Sequence, residues 1–248
     1  MDKIKSFWQA RALKQNPGSN DFMLKRLEIN LLLKLISPQS KVLDIGCGNG
    51  ETLYTICTSK QCKGVGIDYS ENMIAAAKEY YSHNNIEYKC SALPNLITNN
   101  DFDYAITERC LLNLLKEQQY IAFVNIMSHL KPGGFYLMME SCIQGLEKIN
   151  FWRTKVGLSI IRPPFHNTFL DENEVKKWEN EECHLEKIIN FTSTYYFGSR
   201  LVYAALRPKK LKYDSLINRI SCALPSLGKY GPVRLFKWKK NMNQTPKN

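Results

Sequence analysis

Lys41-Val42-Leu43-Asp44-Ile45-Gly46-Cys47-Gly48-Asn49-Gly50 is an apolar strand that runs into a loop with glycine at every second position. Glycine has no Cβ, so the chain can turn sharply there and lay its backbone against a ligand. Gly46, Gly48 and Gly50 place three such positions between a buried strand and a helix opening at Glu51. A helix start offers free N–H groups and a partial positive charge, which together stabilise a ligand carboxylate. A second strand, Lys63-Gly64-Val65-Gly66-Ile67, ends on Asp68, where an acidic side chain can accept both hydroxyls of a ribose.

These features also suit a nicotinamide dinucleotide, but the spacing argues against it. The dinucleotide fingerprint G-x-G-x-x-G seats a pyrophosphate, and here its third glycine position is Glu51, whose charge repels phosphates. The run Asp-Ile-Gly-Cys-Gly-Asn-Gly followed by Gly-Ile-Asp instead resembles the class I S-adenosylmethionine-dependent methyltransferases. The resemblance covers roughly residues 40 to 140 and includes Asp68-Tyr69-Ser70-Glu71-Asn72-Met73, with Ser70 placed as an N-cap. It also includes the fourth-strand segment Phe102-Asp103-Tyr104-Ala105-Ile106 and the turn Leu130-Lys131-Pro132-Gly133-Gly134.

The resemblance implies a Rossmann-like α/β fold with S-adenosyl-L-methionine as cofactor. Its methionyl end would lie on Asp44, Gly46, Cys47, Gly48 and Gly50, its ribose on Asp68, and its adenine near Tyr69 and Met73. The chain departs from the family after the third strand: where an acid often binds the adenine amino group, Ser91 and Ala92 stand. Glu108, at the end of the fourth strand, and Arg11, folded over the carboxylate end with Trp8, complete the cofactor set.

A chain of 248 residues can bury a substantial α/β core and still carry a cap. It has no run of apolar residues long enough to span a bilayer, and Met1 to Trp8 lacks the apolar core of a signal peptide. The eight cysteines contain no C-x-x-C pair, so a reduced, cytoplasmic protein with neither metal site nor disulfide framework is expected. The net charge of +11 concentrates at one end: from Ala205 onward eleven Lys and Arg face one acid, Asp214, for a net +10. Such a cluster suits a nucleic acid, a membrane surface or an anionic small substrate, and equally a solvated lysine-rich face. Leu216, Ile217, Ile220, Leu224, Leu227 and Val233 interleave with it, which predicts that it packs.

Strand–helix alternation runs through residues 41–140 (strands 41–45, 63–68, 86–90, 102–107 and 134–140; helices 51–59, 71–82 and 117–130). It predicts a mostly parallel seven-stranded sheet with helices on both faces. Two helices precede it, the second over 21–36 with Leu24, Leu27, Leu31 and Leu35 on one face. Residues 1–37 form this N-terminal part, 38–142 the cofactor-binding core, 143–232 the substrate-side cap, and 233–248 the last strand and tail of one domain. After Glu140 the pattern is irregular for about thirty residues. Asp171 and Glu174 then resemble a capping box opening a helix through Trp178; strands follow at 185–190 and 233–239, the last antiparallel, with 192–230 inserted between them near the acceptor side.

Ligands in such sheets bind beyond the carboxyl ends of the strands. Arg162 and His166 flank two rigid prolines, and Tyr195, Tyr196 and Arg200 add hydroxyls, aromatic faces and a guanidinium; both segments suit an anionic acceptor. Read as structure, Tyr195 and Tyr196 are core, Arg200 a surface charge, and His166 the cap of a turn. His166 is the first candidate for a general base because imidazole titrates near neutrality; Glu108 and Glu140 follow as strand-end carboxylates. Glu108 would otherwise pair with Arg109 or Arg11.

The segment Glu108 to Leu114, Pro-Phe-His-Asn, Ser-Thr-Tyr-Tyr and the Gly-Pro-Val-Arg-Leu ending resemble a set of bacterial methyltransferases of surface-polysaccharide assembly, including those expected to make O-methyl phosphoramidate decorations of capsules. That resemblance implies O-methylation of a small anionic or sugar-linked acceptor. The alternatives are an RNA or protein methyltransferase that engages phosphates with the basic tail, and a non-catalytic cofactor-binding module.

Overall fold

The computed structural model describes residues 2–12, 20–94, 96, 101–207 and 212–242. Lys209, Lys210 and Lys247 of the basic tail lie outside the described residues. In chain order the elements are α1 (Asp2–Ala12), α2 (Phe22–Leu35), β1 (Lys41–Ile45), α3 (Glu51–Lys60), β2 (Lys63–Asp68), α4 (Glu71–Tyr80), β3 (Ile86–Cys90), β4 (Phe102–Glu108), α5 (Lys116–Ser128), β5 (Leu130–Ser141), α6 (Ile143–Lys155), α7 (Glu172–Lys176), β6 (Cys183–Ile189), α8 (Ser193–Tyr196), a π-helical stretch (Phe197–Val202), α9 (Tyr203–Ala205), α10 (Leu216–Ala223) and β7 (Val233–Lys240).

The seven strands form one sheet in the order β3-β2-β1-β4-β5-β7-β6. The first five run parallel, and β7 is antiparallel to both β5 and β6. Successive side chains on a strand point to opposite faces, and the two faces collect separate cores. Leu43, Phe102, Ala105, Tyr136, Met138 and Trp238 pack on one face, while Val42, Tyr104, Ile106, Leu137, Met139 and Leu235 pack on the other. Both faces are buried, so the strands read as nearly continuous apolar runs.

Three expectations change. The segment after Glu140 is irregular only in its second half: α6 occupies 143–155, burying Gly145, Leu146, Ile149 and Arg153 along one face, and residues 156–171 are turns and loop. No side chain caps its start at Cys142, so no local signal announces it. Asp171 does cap α7, accepting from the Asn173 N–H at 2.8 Å, but Glu174 pairs with Lys177 rather than reaching back, and the helix stops at Lys176. β5 starts at Leu130, which pairs with Phe102 before a register shift at the Gly133 turn.

The π-helical stretch 197–202 packs on α6, and α10 packs on α2. Tyr195 joins Met23, Leu24 and Val233 in one small core, and Leu201 joins Leu146 and Ile149 in another.

Candidate cofactor site

β1, β2 and β4 end side by side, and their last residues set the site. Gly46, Gly48 and Gly50 all have positive φ, at 73, 54 and 85°, a region that L side chains avoid. A Cβ on Gly46 would sit 2.5 Å from Cys110 Sγ, and one on Gly50 2.5 Å from the Tyr88 hydroxyl. At Gly48 it would meet nothing within 4 Å. Two glycines are therefore required by close packing and the middle one borders open space. Gly50 is the N-cap of α3 and supplies no capping side chain, so the first N–H groups of α3 keep their capacity for an anion.

Asp68 is buried with both carboxylate oxygens held: the Gly48 N–H donates to Oδ2 at 3.0 Å and the Ser70 N–H to Oδ1 at 2.9 Å. Each oxygen keeps a lone pair for a ribose hydroxyl. Burial pushes its pKa up, against the pull of those N–H bonds. Ser70 caps α4 through the Met73 N–H at 3.3 Å, and Met73 is buried just below. The Ser91 N–H donates to the Asp68 carbonyl at 3.1 Å, which brings Ser91 and the more exposed Ala92 to the same rim.

Asp44 and Glu108 give the site its sign. Asp44 is buried, and among the described residues its Oδ2 has no partner; Glu108 Oε1 is likewise buried and unpartnered there. Burial and the nearby Glu108 carboxylate push Asp44 well above the usual carboxylate range. The other Glu108 oxygen accepts from Thr52 Oγ1 at 2.7 Å and pairs with Lys25. Arg109 pairs with Glu28 at 2.9 Å; burial drives Glu28 up to about 7 although Arg109 pulls the other way. Two buried acceptor atoms at neighbouring strand ends, beside a glycine loop, fit an ammonium group. A methionyl ligand carries that group next to the carboxylate that α3 would seat. The residues present therefore fit S-adenosyl-L-methionine.

Helix α1 bridges this rim. The Tyr69 hydroxyl donates to the Ile4 carbonyl at 3.2 Å and Asn72 Nδ2 to the Gln9 carbonyl at 3.4 Å, while Trp8 Nε1 donates to Asn113 Oδ1 at 3.3 Å. Phe7 stacks on His166 with ring centroids 4.3 Å apart. His166 is thereby brought to the helix that also touches the turn after β2. Burial lowers its pKa, and its Nδ1 is buried without a partner. Arg11, on the same helix, bonds Asn20 Oδ1 at 2.8 Å.

The remaining candidates do not form one pocket. Glu140 is fully buried and accepts the N–H groups of Cys110, Leu111 and Leu112, at 3.0, 2.9 and 3.3 Å. It holds the loop after β4 in place, and burial pushes it up to about 7; as a base for an acceptor it is withdrawn. Tyr195 is buried with its hydroxyl donating to Asp21, and Arg200 pairs with the same carboxylate while lying against the rings of Tyr196 and Tyr213. These side chains tie the 193–205 segment to the start of α2, so the anion pocket expected from them is corrected to an internal tie. Arg162 stands exposed, apart from that tie. Sequence reasoning missed Lys25, Glu28 and Thr52, whose partners lie far along the chain.

Residues 42–134 match a family described as "Methyltransferase domain". The chain is 31% identical over 146 residues to the demethylmenaquinone methyltransferase of Staphylococcus haemolyticus, covering 56% of this chain and 59% of that protein. It is 29% identical over 129 residues to the carboxy-S-adenosyl-L-methionine synthase of Campylobacter fetus, covering 48% and 52%. The chain thus spans about half the length of the curated relatives it matches. Among solved structures it superposes on the N-methyltransferase NodS of Bradyrhizobium japonicum, bound to S-adenosyl-L-homocysteine, with a TM-score of 0.59 at 15% identity over 96% of this chain and 98% of that one. The chain has the Rossmann-like fold of the class I methyltransferases, and its segment from Val42 to Gly134 is similar to a methyltransferase domain.

Proposed function

We propose that the protein is an S-adenosylmethionine-dependent O-methyltransferase acting on a small anionic or sugar-linked acceptor, such as a phosphoramidate or a sugar nucleotide of surface-polysaccharide assembly. The observation that carries the methyltransferase reading is the pair of unpartnered buried oxygens, Asp44 Oδ2 and Glu108 Oε1, beside a glycine loop whose middle residue faces open space. The choice of acceptor rests on the sequence resemblance and on the position of His166.

Bound at this rim, S-adenosylmethionine supplies an electrophilic methyl group on a sulfonium. Asp44 and Glu108 would neutralise the ammonium, the start of α3 the carboxylate, and Asp68 would fix the ribose; Arg11 would close over the methionyl end. These contacts orient the donor, and positioning supplies much of the acceleration of an in-line displacement. His166, kept neutral by burial, would take the proton of a hydroxyl acceptor, while an ionised phosphoryl oxygen needs no base. Arg162, exposed near the same loop, is the side chain proposed to meet the acceptor's charge.

Methyl transfer from isotopically labelled donor to phosphoramidate, sugar-nucleotide and RNA acceptors tests the reading. Transfer to an anionic small acceptor, unaffected by moderate salt, supports it. Transfer to RNA with a steep salt dependence would overturn the acceptor class, and adenosylhomocysteine binding with no transfer to any acceptor would favour a non-catalytic module. His166→Ala should slow turnover of a hydroxyl acceptor by roughly 100-fold with adenosylhomocysteine affinity unchanged; a normal rate removes the base.

A further inference from the structure

Helix α10 is built inside out. Its buried residues are Asn218 and Ser221, whereas Leu216, Ile220 and Leu224 are 73, 51 and 55% exposed, and Leu227 just beyond is 71% exposed. Leu216 and Ile220 lie one turn apart on one side of the helix, Leu224 follows as its extended C-cap, and Leu227 stands in the loop just beyond, so all four are exposed along this end of the segment. The inward side seats the helix through Asn218 and Ser221 together with the half-buried Ile217 and Cys222. Asn218 Nδ2 donates to the Lys212 and Tyr213 carbonyls at 3.1 and 3.2 Å, and the Ser221 hydroxyl lies so close to Gly198 that a Cβ there would stand 1.8 Å away. Among the described residues nothing covers the outward leucines, and Val202 and Leu206 of the preceding segment are exposed as well.

Basic residues flank these apolar ones in the chain. Arg207, Lys212, Arg219 and Lys229 are exposed, within a C-terminal stretch of net charge +10. A cavity of about 400 Å³ lies between α2 and α10, with Phe22 and Arg26 on one side, Asp214, Arg219, Cys222 and Ala223 on the other. Exposed apolar residues flanked by cations are the pattern of a helix that lies in a membrane interface, where burial of the leucines and attraction to anionic headgroups act together. A second copy of this chain is a poor occupant, because two stretches of the same charge would be brought together. A nucleic acid would leave the leucines in water. No described helix is long and apolar enough to cross a membrane, so contact at this face would be peripheral.

We propose that α10 docks the protein on an anionic lipid surface, with Leu216, Ile220, Leu224 and Leu227 entering the interface and Arg219 and Lys229 meeting the headgroups. The proposal is independent of which acceptor is methylated.

Co-sedimentation of the full chain with vesicles of phosphatidylcholine alone, or of phosphatidylcholine with phosphatidylglycerol, tests it. The unaltered protein should bind the anionic vesicles and release as salt is raised. The combined variant Leu216→Ser, Ile220→Ser and Leu224→Ser should bind them at least ~100-fold more weakly, with its thermal midpoint unchanged because those side chains are exposed. Arg219→Gln, a second variant that removes one charge and leaves the apolar residues intact, should weaken binding about fivefold. Absence of vesicle binding, equal binding to neutral vesicles, or full binding by the serine variant would each overturn the proposal. So would a dimer in light scattering that the serine variant dissociates, which would make these residues a contact between copies, or a complex with a purified acidic protein that depends on them and none with vesicles.

Discussion

Helix α2 carries two buried polar clusters that differ in one respect. At its start, Asp21 accepts from the Leu24 N–H, the Tyr195 hydroxyl and the Arg200 guanidinium, so that both carboxylate oxygens are used. One turn later Lys25 joins a cluster with Glu108, Thr52 and the neighbouring Asp44 in which two carboxylate oxygens have no partner among the described residues. Buried polar groups without partners are costly. The closed cluster holds two parts of the chain together, and the open one, set at the strand ends beside a glycine loop, has the form of a site completed by a cationic ligand.

Four substitutions or conditions would sharpen or break that contrast. Asp21→Ala should have the largest effect, lowering stability by about 3 kcal/mol, since Arg200 and Tyr195 lose their acceptor. Thermal unfolding would read it, and an unchanged melting midpoint would mean the tie is ornamental. Asp44→Asn should do the reverse: adenosylhomocysteine binding weakens by about 2–3 kcal/mol in calorimetry, while the melting midpoint holds or rises because a buried unpaired carboxylate is gone. A variant that unfolds but binds normally would erase the distinction between the clusters. Asp68→Ala should weaken binding by about 1.5–3 kcal/mol, and an unchanged affinity removes the ribose assignment.

The smallest effect is on pH. Asp44 in the free protein has a pKa raised by burial and by Glu108, and a bound ammonium lowers it, so binding releases a proton. Affinity is then full above the free-protein pKa and declines as pH falls through the interval between the two values. Titration calorimetry across pH should show this decline in the unaltered protein and a flatter profile in Asp44→Asn.

What could be read from the sequence was what is encoded locally. Gly46 to Gly50, Asp68 and the Ser70 cap are neighbours in the chain, and their backbone chemistry follows from residue type; β1 to β4 followed from apolar runs between turns. The cluster around Lys25 could not be read, because Lys25 and Glu108 are 83 positions apart, and neither residue type signals the pairing. Tyr195 and Arg200 misled for the same reason, since their partner Asp21 lies 174 and 179 positions away. Helix α6 escaped because its start has no capping side chain and its Gly145 is set by tertiary contact: an added Cβ would stand 2.2 Å from the Gly231 carbonyl oxygen. α10 misled in another way, since its leucines implied packing and they point outward.

Cys47 lies within the glycine loop and Cys110 packs against it at Gly46. A thiolate is a strong nucleophile, and one placed beside a sulfonium would be alkylated by it. Burial comes first in keeping both thiols protonated, and carboxylates reinforce it: Asp44 and Asp68 around Cys47, Glu140, Asp68 and Asp44 around Cys110. The same acidic surroundings that suit a cationic donor thus hold both sulfurs in the weakly nucleophilic thiol form.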